Sequence, residues 1–225
     1  MNLFKKSFYF AKNKLFPDRL KQELLLMEAL NLRGISFSKR DIEVNHDQGY
    51  NTIKGKRVNI IYPDNYIKKT LIQYNREPTV NFYFNGFMPA SGGRFEMMEP
   101  FIDRSDALVI DSSEGRKRNS KVKFNNSYYE GLGSSRFGLC PHQLDWPGDK
   151  SNLWTYRFIE CCFVGAIPII FEQTPLGAEF TEGFHFFSDK EILECKLPEN
   201  YYNESDASHN RSLALKRFIL PESFK

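Results

Sequence analysis

Two hydrophobic periods alternate along this chain. Short apolar runs occur at "RVNIIYP" (57–63), "TVNFYFNG" (79–86), "DALVIDSS" (106–113), "RFGLCP" (136–141) and "AIPIIF" (166–171). Between them lie stretches with helical spacing: "NYIKKTLIQY" (65–74), "RFEMMEPFI" (94–102) and residues 151–164. Apolar strands separated by helices of about ten residues predict a parallel sheet covered on both faces. Upstream, "DRLKQELLLMEALNLRG" predicts a helix stopped by Gly34, and "ISFSKRDIEV" a short strand, with Gly49 and Gly55 flanking a polar connection. Downstream, "DKEILEC" and "ASHNRSLALKRFI" predict two more helices. The basic stretch "EGRKRNSKVKFNNS" (114–127) is a solvated loop, followed by "YYEGLGSS" leading into the strand "RFGLCP".

The stretch 151–164 is apolar almost all the way round, yet Arg157 and Glu160 are its only charges, at i,i+3 on one face with Leu153 and Val164. Charges on an apolar face belong to a cleft or to a buried network. One reading makes the pair a salt bridge holding the helix to its neighbours. The other gives the arginine a phosphate and the carboxylate sugar hydroxyls, a stronger reason to bury charge than stability alone. Ligands of open α/β sheets bind beyond the carboxyl ends of strands, where helix N-termini offer free N–H groups. That places Pro141 and His142 after a strand, and Lys150 and Ser151 at the expected start of the helix, within reach of a diphosphate.

The motifs here resemble the nucleotide-sugar-binding half of exostosin-like glycosyltransferases. The resemblance rests on Ser135-Arg136-Phe137-Gly138-Leu139-Cys140-Pro141, then Thr155-Tyr156-Arg157-Phe158-Ile159-Glu160-Cys161, then Gly165-Ala166-Ile167-Pro168-Ile169. Upstream, "FYFNG" (82–86), followed by Gly92, Gly93 and Arg94, matches the strand, loop and arginine-led helix of that family. Together these blocks cover about residues 79–189, half of the chain.

The resemblance implies an α/β fold: a Rossmann-like parallel sheet with helices on both faces, like the C-terminal lobe of a GT-B glycosyltransferase, with a short helical N-terminal extension. Residues 1–50 would be that extension or a reduced acceptor region, and 51–225 the nucleotide-sugar-binding domain. It implies transfer of a sugar from a nucleotide-diphosphate donor to a glycan or surface-polysaccharide acceptor, with no cofactor and no obligatory metal. Arg157 would meet the diphosphate, Glu160 the ribose and Thr155 a phosphate. Gly86 and Arg94 would line the cleft, and Pro141, Gly165 and Pro168 belong to the matching blocks. A base for the acceptor hydroxyl is sought among Asp145, Asp149, Glu172 and His142. The chain departs from the family at Gln143, where a glycine is expected, and in the insert "LDWPGDK", whose Asp145 and Trp146 are placed to shape sugar choice. The alternative is a noncatalytic nucleotide-sugar-binding subunit that needs a partner lobe, from another chain or a second copy.

Composition narrows the field. Aromatic residues make up 15% of the chain, with 21 Phe and 11 Tyr, enough to build a core. A net charge of +3 is too mild for a nucleic-acid face, and the basic loop lacks interleaved aromatics, so nucleic acid is not an expected partner. Cys140, Cys161, Cys162 and Cys195 show no metal-ligand spacing and read as reduced thiols. The opening "MNLFKKSFYFAKNKLF" lacks the apolar core of a secretion signal but suits a basic amphipathic helix. The chain is therefore expected to be cytoplasmic, with residues 1–16 either in peripheral contact with a membrane surface or docked as a terminal helix on the domain.

Overall fold

A computed structural model describes residues 21–45, 49–74, 76–88, 93–112, 124–142, 155–171 and 178–224. Helix α1 (Lys21–Leu32) buries Leu25, Leu26, Ala29 and Leu30, the spacing that puts one stripe of a helix against a core. It ends as expected at Gly34, whose φ of 66° admits the left-handed turn, and Ile35 N–H reaches back to the Leu30 carbonyl at 3.0 Å.

Strands β1 (Ile42–Asn45), β2 (Tyr50–Ile53) and β3 (Lys56–Asn59) follow as an antiparallel meander. Lys54 and Gly55, both at positive φ (48° and 78°), make the two-residue turn whose twist suits a hairpin. Two expectations are corrected here. "RVNIIYP" does not join the parallel sheet: only Lys56–Asn59 forms a strand, antiparallel to β2, and Ile60, Ile61 and Tyr62 run on as buried chain outside any ladder. Nor is the N-terminal part merely helical, because a boundary at 50/51 falls inside β2, whose ladders make residues 42–59 one unit. Alternation failed as a guide because the apolar residues lie at the exit of β3, where Ile61 packs on α1 and Leu220 while Ile60 and Tyr62 join the main core beside Phe163. Leu26, Leu30, Ile53, Val58, Ile61 and Leu220 form that separate cluster. Gln22 ties α1 to the meander through the Tyr50 carbonyl (2.8 Å) and Asn51 (2.6 Å).

After α2 (Asp64–Leu71) the parallel sheet begins. Its strands are β4 (Val80–Gly86), β5 (Ala107–Asp111), β6 (Ser135–Leu139), β7 (Ile167–Ile170) and β8 (Phe187–Ser188), in the order β5-β4-β6-β7-β8, every pair parallel. Helix α3 (Gly93–Ile102) connects β4 to β5, α4 (Asn126–Gly133) precedes β6, and α5 (Tyr156–Val164) lies between β6 and β7. The short α6 (Ala178–Thr181) and α7 (Asp189–Leu193) flank β8, and α8 (Glu204–Arg217) closes the domain.

Strand alternation sorts the core into two layers. Phe82, Phe84, Phe137, Leu139, Ile167 and Ile169 meet Met98 and Phe101 of α3 on one face. Tyr83 faces the other way, toward Tyr129 of α4 and Phe158, Ile159 and Phe163 of α5. Each such side chain removed from water stabilises by roughly 1.5–3 kcal/mol, so both faces must be covered. This is a mixed α/β fold of Rossmann-like type. Pro168 sits in a strand without breaking it, since it pairs with Gly138 while the ladder to β8 starts only at Ile169. Helix α4 has no apolar run to announce it and carries Gly131 because a β-carbon there would stand 2.4 Å from the Tyr83 ring.

Candidate functional site

The strand order sets where a ligand fits. From β4 the chain goes outward to β5 through α3, then returns past β4 to β6 and continues to β7 and β8 in the other direction. Helices therefore leave β4 and β6 toward opposite faces, and a crevice opens beyond the carboxyl ends of these two neighbours. At its walls stand Asn85 and Gly86 at the end of β4 with Phe87 after it, and Cys140, Pro141 and His142 after β6.

Two arginines converge on it. Arg94, in the first turn of α3, donates from Nη1 to the Phe87 carbonyl (2.8 Å) and from Nε to the His142 carbonyl (3.1 Å), tying the two strand exits together. Arg157, in the first turn of α5, donates from Nη2 to the Asn85 carbonyl at 2.9 Å, with its guanidinium carbon 4.4 Å from the centre of the Phe84 ring. Gly86 makes this approach geometrically available, because a β-carbon there would lie 2.6 Å from Arg157 Nη2. Arg157 Nε is buried and has no hydrogen-bond partner. On the neighbouring strand end, Asp111 accepts the Met88 N–H at 2.9 Å and keeps that exit folded back.

Helix α5 is held here by close packing. Gly138 lets it sit against β6, since a β-carbon there would fall 2.1 Å from Cys161 Sγ. Seven of its nine residues are buried, so its polar members must find partners. Its start differs from expectation. Thr155 is the N-cap, extended at φ −134°, and its hydroxyl accepts the Arg157 N–H at 3.4 Å, so no continuous helix runs from Ser151. The β-branched residue before Tyr156 ends the helix backwards by capping it. Thr155 thus serves the helix end, and the free N–H groups belong to α5 residues themselves.

Glu160 corrects the sequence reading. It is 3% exposed. Its Oε1 accepts from Lys21 Nζ (2.5 Å) and Tyr62 OH (3.3 Å), and its Oε2 from Tyr128 OH (2.8 Å). Burial pushes its carboxyl up, but attraction to Lys21 and hydrogen bonds from Lys21, Tyr128 and Tyr129 outweigh that and hold it below the usual carboxylate range. Partial desolvation works against the charge of Lys21, whose side chain is still 41% exposed, and Glu160 more than offsets it, so the lysine is held above its ordinary value. Burial first, and the Glu160 charge second, push the Tyr62, Tyr128 and Tyr129 hydroxyls well up, keeping them protonated donors. Both oxygens of this carboxylate are thus engaged inside the protein, and its ion pair is with Lys21; among the described residues none joins Arg157 to Glu160.

Of the other residues singled out in the sequence, Gly86, Arg94, Pro141, His142, Thr155 and Arg157 come together at the crevice. Gly165 does not: it caps α5 at φ 86°, at the far end of that helix from Arg157, where its carbonyl accepts from Tyr202 OH (3.2 Å). Pro168 is inside β7. Asp145, Trp146, Asp149, Lys150, Ser151 and Glu172 lie outside the described residues, as do residues 1–16. Asn85, Phe84 and Lys21 escaped the sequence reading; the first two adjoin Gly86 in "FYFNG" and were legible there, whereas nothing near Lys21 signals its partner 139 residues away.

A separate open cleft of about 440 Å³ lies at the opposite ends of β4 and β5, lined by Asn81, Arg104, Asp106, Lys196 and Glu199. Arg104 pairs with Asp106 there at 2.8 Å and the Asn81 amide donates to Asp106 and Glu199, and the cleft is on the wrong edge for a parallel sheet's ligand. Among the described residues no group of three or more His, Cys, Asp or Glu is placed to hold a metal ion, and no helix is long and apolar enough to cross a membrane. Cys140 and Cys161 stand 3.8 Å apart, sulfur to sulfur, as free buried thiols. Compared with models of known protein families and with curated protein sequences, the chain matches none.

Proposed function

We propose that this chain is a glycosyltransferase with the nucleotide-sugar-binding half of a GT-B enzyme, moving a sugar from a nucleotide-diphosphate donor to a glycan such as a surface polysaccharide. The observation that carries the reading is Arg157, held at the β4–β6 crevice by the Asn85 carbonyl and the absent side chain of Gly86. A guanidinium fixed at the carboxyl ends of parallel strands, beside the first turn of a helix, suits a diphosphate. In glycosyl transfer the bond from the anomeric carbon to the diphosphate oxygen breaks and the acceptor oxygen takes that carbon. Charge grows on the departing diphosphate, and Arg157 with the α5 N–H groups opposes it; removing one such donor elsewhere costs about 3–4 kcal/mol of barrier. Arg94 keeps the two strand exits at a fixed separation. Because both Glu160 oxygens are engaged by Lys21, Tyr62 and Tyr128, this proposal gives the ribose other partners. Cytoplasmic placement, with residues 1–16 on an anionic membrane surface, belongs to the same proposal.

The sealed Glu160 also favours a second reading, a subunit that binds the diphosphate but leaves catalysis to a partner lobe. Both are tested by a thermal-shift screen of the purified chain against UDP, GDP, CMP and their sugar conjugates, followed by donor hydrolysis with the conjugate that binds. A rise in Tm lost in Arg157→Ala supports the site. Release of nucleotide diphosphate from the bound donor supports the enzyme, and binding without release supports the subunit. No rise with any nucleotide rejects both.

A further inference from the structure

Three residues separate Arg157 from Glu160, which brings their β-carbons to about 5–6 Å of each other on the helix. Opposite charges at that spacing, in a poorly solvated place, attract strongly and would ordinarily pair. Here they do not. The groups that donate hydrogen bonds to Glu160 compete with the arginine: Lys21 from α1, Tyr62 from the chain after β3, and Tyr128 and Tyr129 from α4, with the Tyr66 and Tyr156 hydroxyls also near its charge. Of these only Lys21 brings a positive charge. It also stands 4.6 Å from the centre of the Tyr156 ring, at the head of the same helix.

From this geometry we infer that Lys21 is a positioning residue for the crevice: by neutralising Glu160 it keeps the carboxylate from capturing Arg157 and leaves the guanidinium free for an anionic ligand. The inference rests on the reading of the crevice as a diphosphate site. Without Lys21 the buried carboxylate loses its only ion-pair partner among the described residues, and the cation on its own helix is Arg157. A guanidinium turned toward Glu160 leaves the Asn85 carbonyl and the strand end. The N-terminal helix therefore does more than cover the core; it supplies the charge that decides where Arg157 points.

The test is titration calorimetry of the full chain with inorganic pyrophosphate. Lys21→Met is expected to weaken binding roughly tenfold, and Lys21→Arg to preserve it. The double variant Lys21→Met with Glu160→Gln is expected to restore binding to near the wild-type value, because the competing charge is gone. A purely structural role for Lys21 predicts the reverse, since the second substitution removes another member of a buried network. The double variant also relieves the unpaired carboxylate if Lys21→Met alone folds poorly. A ligand-free readout separates failures: the Arg157 Nε–H resonance, identified by its loss in Arg157→Lys, should move in Lys21→Met and return in the double variant. An unmoved resonance, or pyrophosphate binding unchanged in Lys21→Met, overturns the inference while the diphosphate site stands. Absence of wild-type binding overturns the site itself, and with it the role given to Lys21 there.

Discussion

Arg157 and Glu160 share one helix and lie less than a turn apart, but they occupy different environments. The arginine looks out over the ends of β4 and β6, bonded to a single backbone carbonyl, with one nitrogen unpartnered. The glutamate looks inward at a lysine and tyrosine hydroxyls that take up both its oxygens. The first arrangement leaves hydrogen-bonding capacity for a ligand; the second consumes it. An apolar helix with charges is thus two different statements at once, and only the partners across from each charge tell them apart.

The comparison depends first on α5 lying flush against β6. Gly138→Ala places a β-carbon 2.1 Å from Cys161 Sγ and must push the helix away. It should cost about 3 kcal/mol of stability, read from urea unfolding, and disturb both environments together. The next largest effect belongs to the outward one. Arg157→Ala should reduce nucleoside-diphosphate affinity by about 2 kcal/mol, roughly thirtyfold, in calorimetry, while its urea midpoint stays near that of the wild type. Equal loss of fold and binding would erase the distinction between the two ends of the helix.

Gly86→Ala sharpens the contrast without removing charge. Its β-carbon would stand 2.6 Å from Arg157 Nη2, the mobile end of a long side chain, so the guanidinium shifts rather than the backbone. An affinity loss of about 1 kcal/mol, roughly fivefold, with an unchanged melting temperature, is expected. The smallest effect, per pH unit, is on the inward side. Because the folded Glu160 carboxyl is held below its unfolded value, its contribution is complete above about pH 4.5 and fades as pH falls through the folded value. Lys21 is held above its unfolded value, so its contribution is complete below about pH 10 and fades only as pH rises further. Urea midpoints should therefore fall below pH 4.5 more steeply in the wild type than in Glu160→Gln; parallel curves would mean the carboxylate is not held by this network.

Much of the parallel sheet was legible because its strands are apolar on both faces. Phe82 to Phe84, Leu108 to Ile110 and Ile167 to Ile170 announce themselves by composition, and Gly34 and Gly165 mark helix ends through a conformation few other residues adopt. The meander was read wrongly because a strand with one covered face and four residues leaves a weak pattern, and "RVNIIYP" borrows its apolar look from packing beyond the ladder. Helix α4 was missed because its glycines exist to admit the Tyr83 ring and the Gln73 carbonyl, contacts with no local signature.

The same division runs through the candidate site. Local order in the sequence determined that β4 would end at Asn85 and Gly86, that β6 would run to Pro141, and that α5 would carry one cation and one anion on a buried surface. The observed β6 stops two residues short of that, at Leu139. These features follow from side-chain period and turn chemistry, which act over a few residues. Tertiary structure alone decided that β4 and β6 are neighbours, so that Gly86 meets Arg157, and that Lys21 meets Glu160. A charge has no preferred partner along the chain; it takes the best counter-charge that folding brings within a few ångströms. That is why the roles of two residues three apart could be separated only once the helix had neighbours.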